Sequence, residues 1–137
     1  MKVTARYTFE AAHRLYDKSL DERGNNDLFG PCAQIHGHTY RLEVTLRGSR
    51  LHHGMLINFN DVDTVVSSII TGRLDHGLID SMPEFENVVS TAEEIARWIW
   101  RELDASLTSG SVVLEEITVY EGDRFSATVV RDDLRKE

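Results

Sequence analysis

The only cysteine of the chain and a His-Gly-His lie within one nine-residue stretch, CAQIHGHTY at residues 32–40. His36 and His38 are two positions apart, so on a β-strand both rings project from the same face. His13 ends another alternating stretch and can supply a third ring nitrogen. Three imidazoles with a fourth position open to water or substrate are typical of a catalytic zinc site. The alternative is that these are packed or surface histidines, the commoner fate of a histidine.

Cys32 precedes His36 by four positions, and its surroundings in the sequence leave its role open. As a fourth ligand, the thiolate would close the metal site. As a free thiol on a loop beside a cation, it would be a base or a nucleophile. The third interpretation is a small buried hydrophobic residue, the usual state of a lone cysteine.

Two acidic positions are further candidates for chemistry. Asp75 and His76 are adjacent in RLDHGLID, where the aspartate could orient the histidine for proton transfer, although such pairs are also frequent in surface loops. Glu121 ends a predicted strand in ITVYEGD. It is either the solvated end of a hairpin or an anchor for a ligand edge rich in N–H groups. His52-His53 lies in a polar turn and is predicted to be exposed.

Alternation of apolar and polar residues predicts the strands that position these groups. Residues 3–13 and 36–47 alternate, with the three histidines on the apolar faces. Residues 112–121 and 124–131 are predicted to be two more strands, joined by a two-residue turn at Gly122-Asp123. Residues 16–31 are polar and rich in glycine and asparagine, which predicts a long loop.

Two apolar stripes at helical spacing lie between the strand pairs. The stripes are Val62, Val65, Val66, Ile69 and Ile70, and then Ala92, Ile95, Ala96, Ile99 and Leu103. Ser90 and Thr91 precede Glu93 and Glu94 at the spacing of a capping box, which predicts the start of the second helix. The order β-β-α-α-β-β predicts an α+β fold, an antiparallel sheet with two helices on one face.

Bulk composition narrows the classes of function. The 137 residues fit one domain, 1–137. A net charge of −8, from 15 basic and 23 acidic residues, argues against nucleic acid and anionic membranes as partners. No apolar run approaches the ~20 residues needed to span a bilayer, and the polar N-terminus is unlike a signal peptide. We expect a cytoplasmic protein, consistent with its single cysteine.

An ordered set of motifs gives the chain its family resemblance. The motifs are FEAAHRLY, LFGPC, HGHTY, GMLINF, LDH, VVSTAEE with the following WIW, and VYE. Together they resemble the 6-pyruvoyl tetrahydropterin synthase / 6-carboxytetrahydropterin synthase family over essentially the whole length. The resemblance implies a T-fold, in which pairs of antiparallel strands assemble into an oligomeric barrel. It also implies active sites at subunit interfaces, usually in a homohexamer.

The resemblance assigns a role to each candidate residue. It implies a Zn²⁺ ion held by His13, His36 and His38. It implies Cys32 as the catalytic base and the pair Asp75 and His76 as its partner in proton transfer. It further implies that Glu121 grips the pyrimidine edge of a pterin and that Thr91 helps to form the pterin pocket. Arg14, Lys18 or Arg23 could meet a triphosphate, but no motif selects among them.

The implied substrate is 7,8-dihydroneopterin triphosphate, and two subfamilies differ in product. The three residues between Cys32 and His36 are the short interval typical of the carboxy-forming enzymes of queuosine biosynthesis. The 19-residue step from His13 to Cys32, Asn58 and VVSTAEE look instead like the pyruvoyl-forming synthases.

The short interval favours a zinc-dependent lyase forming 6-carboxy-5,6,7,8-tetrahydropterin. The alternative is 6-pyruvoyl tetrahydropterin synthase activity, with elimination of triphosphate from the same substrate. Simple cleavage of the side chain to a hydroxymethylpterin stays open. A third hypothesis is a non-catalytic paralogue that binds pterin or zinc.

Overall fold

Strands β1 (Lys2–His13) and β2 (His36–Gly48) pair antiparallel along their whole length. Their register places His13 opposite His36, so the candidate histidines meet at one end of the strand pair. The computed structural model, which describes residues 1–136, thus confirms the two strands that alternation predicts.

The other elements complete a five-stranded sheet covered by helices. They are α1 (Glu22–Phe29), α2 (Phe59–Ile69), β3 (Gly77–Leu78), α3 (Ala92–Leu107), β4 (Val112–Glu121), β5 (Phe125–Val130) and α4 (Arg131–Leu134). The sheet order is β3-β1-β2-β4-β5. The short β3 runs parallel to β1, and the other three pairs are antiparallel.

One face of the sheet is buried against α2 and α3. The buried side chains from the sheet are Phe9, Ala11, Tyr40, Leu42, Val44, Leu46, Leu114, Ile117, Val119 and Val129. Each large apolar side chain removed from water stabilises the fold by about 1.5–3 kcal/mol. Outward-facing residues of β1 and β2, such as Arg6 and Arg41, are exposed. The predicted α+β architecture, with two helices on one face, is confirmed.

Helix α3 carries the strongest local signals. The Thr91 hydroxyl accepts a hydrogen bond from the Glu94 backbone N–H at 3.2 Å, which caps the helix as predicted. Its inward face buries Ile95, Ile99 and Leu103 together with Trp98. At 16 residues α3 is too short to cross a bilayer, and no helix in residues 1–136 is long and apolar enough to do so.

The structure corrects the prediction of a loop over residues 16–31. Residues Glu22–Phe29 form α1, although this segment has almost no apolar stripe. Asp21 caps the helix by accepting from the Gly24 N–H at 2.7 Å, and the buried Asn25 amide donates to the Asp17 carbonyl. Hydrogen bonds to polar side chains therefore stabilise α1, so apolar periodicity could not reveal it.

The hairpin between β4 and β5 also differs from the prediction. Glu121 pairs with Phe125, so three residues form the turn instead of two. Gly122 begins the turn at a φ of 63°, a conformation that glycine adopts without steric cost. The longer turn moves the start of β5 from residue 124 to Phe125.

Candidate active site

Three imidazoles converge where β1 and β2 meet the core. Because His13 lies opposite His36 and the side chains of His36 and His38 share a face, the strand pairing itself assembles the cluster. Ring centroids are 4.6 Å apart for His13 and His36, 5.2 Å for His13 and His38, and 4.9 Å for His36 and His38. One ring nitrogen from each residue lies within 4.8 Å of the others, so this cluster could hold a metal ion.

Two of the rings are oriented by backbone carbonyls. The Nδ1 of His13 is 2.7 Å from the Ser90 carbonyl oxygen, and the Nδ1 of His36 is 2.7 Å from the Gln34 carbonyl oxygen. Since a carbonyl only accepts, each Nδ1 carries a hydrogen, and in a neutral ring this leaves Nε2 with a free lone pair. This is the usual arrangement of metal-binding histidines, in which the second ring nitrogen is held by another group.

Unpartnered buried nitrogens show that the residues fit a metal ion. The Nε2 atoms of His13 and His38 are buried, and nothing within residues 1–136 forms a hydrogen bond to either of them. A buried polar atom without a partner is costly unless a ligand or ion satisfies it. Burial lowers the pKa of His13 below its ordinary value of 6.5, which favours the neutral imidazole that binds metals.

Glu121 lies beside the cluster. Its carboxylate oxygens are 3.8 Å from His13 Nε2 and 4.0 Å from His38 Nε2. Tyr40 pairs with Glu121 across β2 and β4, and the side chain of Glu121 keeps 23% of its surface exposed. A carboxylate here adds negative charge next to a site that could hold a cation, while its exposed part can meet a ligand.

The Asp75-His76 pair follows a widened turn after α2. The Asp75 backbone N–H donates to the Ile70 carbonyl at 2.8 Å, a hydrogen bond five residues back along the chain. His76 has a φ of 59°, and its N–H donates to the Glu10 carbonyl at 2.6 Å. A left-handed histidine costs of order 1–3 kcal/mol and is often found at functional sites.

The Asp75 carboxylate is held on both oxygens. One accepts the Glu10 backbone N–H at 2.9 Å, and the other is 2.9 Å from His76 Nδ1. These hydrogen bonds, the Glu10 N–H first, lower the pKa of Asp75 below its ordinary value. The aspartate therefore stays ionised and orients the His76 ring, whose side chain is 79% exposed.

Two concavities adjoin the cluster. One, of about 460 Å³, is lined by His38 and His76 together with Glu10 and Thr39. The other, of about 320 Å³, is lined by Thr91 and Glu121. Thr91 and Glu121, the two residues expected to contact a pterin, therefore line the same concavity. His38 of the cluster and His76 line the other one.

Cys32 lies in the segment that precedes β2. It lies in a short 3-10 turn, Gly30–Ala33, and its carbonyl accepts the Leu15 N–H at 2.7 Å. The thiol is free and half-buried, and it is not part of the three-histidine cluster. Within the described chain it forms no hydrogen bond to Asp75 or to His76.

Reasoning from the sequence missed three residues around the cluster. Gln34 and Ser90 act through their carbonyls, and Asp80 contacts Ser90 through its side chain. Only Ser90 carried a signal, its place in the capping segment before α3. The other two have no local pattern, because their roles depend on contacts that only the folded chain creates.

Comparisons with known proteins show the family of this chain. The family described as 6-pyruvoyl tetrahydropterin synthase matches residues 2–132. Human 6-pyruvoyl tetrahydrobiopterin synthase is 40% identical over 126 residues, covering 89% of this chain and 86% of that protein. The 6-carboxy-5,6,7,8-tetrahydropterin synthase of Haemophilus influenzae is 31% identical over a 139-residue alignment, which covers 84% of this chain and 92% of that protein.

A solved structure extends the likeness to three dimensions. The structure of Caenorhabditis elegans 6-pyruvoyl tetrahydropterin synthase has a TM-score of 0.88 with this chain. The two are 28% identical, and the match covers 95% of this chain and 94% of the other. On the sequence match over residues 2–132 and this shared architecture, the chain belongs to the 6-pyruvoyl tetrahydropterin synthase family.

Proposed function

We propose that this protein is a zinc-dependent lyase that converts 7,8-dihydroneopterin triphosphate into 6-carboxy-5,6,7,8-tetrahydropterin. The observation that carries the proposal is the convergence of three imidazoles beside Glu121, two of them oriented by backbone carbonyls and two with unpartnered buried Nε2 atoms. Membership of a family of tetrahydropterin synthases supports the choice of substrate. We place the reaction in a queuosine-type pathway of the cytoplasm.

His13, His36 and His38 would hold the zinc ion. When bound there, zinc supplies a Lewis acid for the hydroxyl groups of the substrate side chain. The Ser90 and Gln34 carbonyls keep the rings of His13 and His36 in the orientation that presents Nε2. The ligand set would therefore be arranged before zinc arrives.

Glu121 and Thr91 would bind the pterin ring. A carboxylate can accept two N–H hydrogen bonds at once, which matches the pyrimidine edge of a pterin. Glu121 and Thr91 line the same concavity, and Glu121 also lies within 4.0 Å of two cluster histidines. A ring held there would place its side chain next to the cluster.

Cys32 and the Asp75-His76 pair would move protons. The thiolate of Cys32 would remove a proton from the substrate side chain, and His76, oriented by Asp75, would carry the complementary transfer. Because Cys32 forms no hydrogen bond to Asp75 or His76 within residues 1–136, we propose that the thiol and the pair meet across a subunit interface of a homohexamer.

The interval between Cys32 and His36 favours the carboxy product. Gln34, in the middle of this interval, holds the His36 ring through its carbonyl, so the length of the interval links the position of the thiol to that of a ligand. The second candidate is formation of 6-pyruvoyl tetrahydropterin. The higher identity to the human pyruvoyl enzyme, 40% against 31% for the carboxy enzyme, favours it.

Product analysis tests the proposal. The zinc-loaded protein is incubated with 7,8-dihydroneopterin triphosphate, and the products are identified by mass spectrometry. A carboxypterin with acetaldehyde and inorganic triphosphate is the expected result. A pterin that retains its three-carbon side chain, with triphosphate released and no acetaldehyde, would establish the pyruvoyl reaction instead. Unchanged substrate would contradict both and favour a non-catalytic binding protein.

A further inference from the structure

Ser90 connects the Nδ1 side of the His13 ring to the carboxylate of Asp80, which has no role in the proposed mechanism. Besides the carbonyl contact, the Ser90 hydroxyl lies 3.4 Å from His13 Nδ1. That hydroxyl donates to Asp80 Oδ1 at 2.9 Å. Asp80 therefore reaches the imidazole through a single residue, Ser90, which is fully buried.

The same two residues hold the main chain that follows His13. The Arg14 backbone N–H donates to Asp80 Oδ2 at 2.8 Å, and the Ser90 hydroxyl lies 3.2 Å from the Arg14 carbonyl oxygen. The N–H of the peptide bond that joins His13 to Arg14 is thus fixed by Asp80. Asp80 and Ser90 together constrain the backbone of His13 and the direction of its ring.

The charge of Asp80 also suits a neighbouring cation. Asp80 is half-buried, and among residues 1–136 no lysine, arginine or histidine forms an ion pair with it. Its hydrogen bonds come only from an N–H and a hydroxyl, so its negative charge is not neutralised by a partner. A metal ion held by the cluster would be a source of compensating charge.

We propose that Asp80 is a positioning residue, which acts through Ser90 to fix His13 so that Nε2 faces the metal ion. The inference rests on the proposed zinc site but is independent of which pterin product forms. Partners of this kind are expected to change metal affinity, because a ligand that must be ordered on binding binds less tightly than one already in place.

The test compares zinc affinities of apo variants by competition with a chromogenic chelator. Asp80→Asn keeps the shape of the side chain and removes its charge, and we expect zinc binding about 10–100-fold weaker. The matched control is Asp63→Asn, because Asp63 in α2 likewise accepts a hydrogen bond from another segment, the Tyr7 hydroxyl of β1 at 2.8 Å. Zinc affinity of the control should equal that of the original protein.

Two further measurements separate positioning from a general loss of structure. Ser90→Ala keeps the backbone carbonyl and removes only the hydroxyl link, so its zinc affinity should also fall. This variant tests the proposal if Asp80→Asn does not fold. Cobalt(II) replaces zinc as a spectroscopic probe, and its visible absorption bands should change in Asp80→Asn but not in Asp63→Asn.

The outcomes are distinct. Zinc affinity and cobalt spectra that match the control in both Asp80→Asn and Ser90→Ala would overturn the positioning role. Weaker zinc binding with an unchanged cobalt spectrum would do the same, because it indicates lost stability without a change at the ligand. An original protein that binds no zinc would overturn the site and the inference together. Zinc binding without pterin turnover would overturn only the proposed function.

Discussion

The two halves of the proposed active site are built differently. The metal half is formed inside the chain, because His13 is 1% exposed and is held by Ser90 against the core. The proton-transfer half is more exposed, since the His76 side chain is 79% exposed and the Cys32 thiol is half-buried. We therefore propose that folding of one chain prepares metal binding and that a second copy of the chain completes the set of proton-transfer groups.

The largest expected effect comes from removing the buried ligand. His13→Ala should abolish zinc binding and turnover, since it deletes one of three ligands. It should also lower the free energy of unfolding by about 1–3 kcal/mol, because the Ser90 carbonyl loses its buried partner. Chelator competition and denaturant titration measure the two effects. As a comparison, His76→Ala should keep full zinc affinity, because His76 is not one of the three proposed ligands.

The next effect tests whether the proton-transfer half is shared between copies. Cys32→Ala and His76→Ala should each lower turnover by about 10²–10⁴-fold while keeping zinc. Unfolding and refolding an equal mixture should restore about a quarter of the original activity, if each site draws one group at random from each of two copies. If the refolded mixture is as inactive as the two separate variants, Cys32 and His76 of one site come from the same copy. The proposed sharing of the site between copies would then be wrong.

The smallest effect concerns the stability of the apo protein against pH. Burial lowers the pKa of His13 in the folded state, so the folded state binds fewer protons than the unfolded state. Stability should therefore be full above the ordinary pKa of 6.5 and fall as the pH drops below it, by at most about 1.4 kcal/mol per pH unit. Denaturant titration at several pH values measures this slope. The slope of stability against pH should be smaller in His13→Ala than in the original protein. Equal slopes in the two proteins would mean that other groups cause the pH dependence.

Local sequence patterns account for the features of the fold and the site that could be predicted. The grouping of His13, His36 and His38 was predictable because strand alternation fixes which residues share a face. The pairing of β1 with β2 then places His13 opposite His36. Thr91 was predictable as a cap because capping depends on residues three positions apart. Both signals are local.

The residues that escaped prediction depend on distant contacts or on polar side chains. Asp80 and Ser90 are far from His13 in the chain, and no periodicity links them. Helix α1 is stabilised by Asp21 and by buried Asn25, so it carries no apolar stripe to detect. The proposed meeting of Cys32 with Asp75 and His76 across a subunit interface stays a prediction.

X-ray absorption at the zinc edge tests the central claim most directly, because it reports which atoms bind the metal. The zinc-loaded protein should show nitrogen or oxygen neighbours at about 2.0–2.1 Å, including the imidazole pattern of His13, His36 and His38. It should show no sulfur, and Cys32→Ala should give the same spectrum. A Zn–S distance of about 2.3 Å that disappears in Cys32→Ala would make Cys32 a ligand and contradict the account.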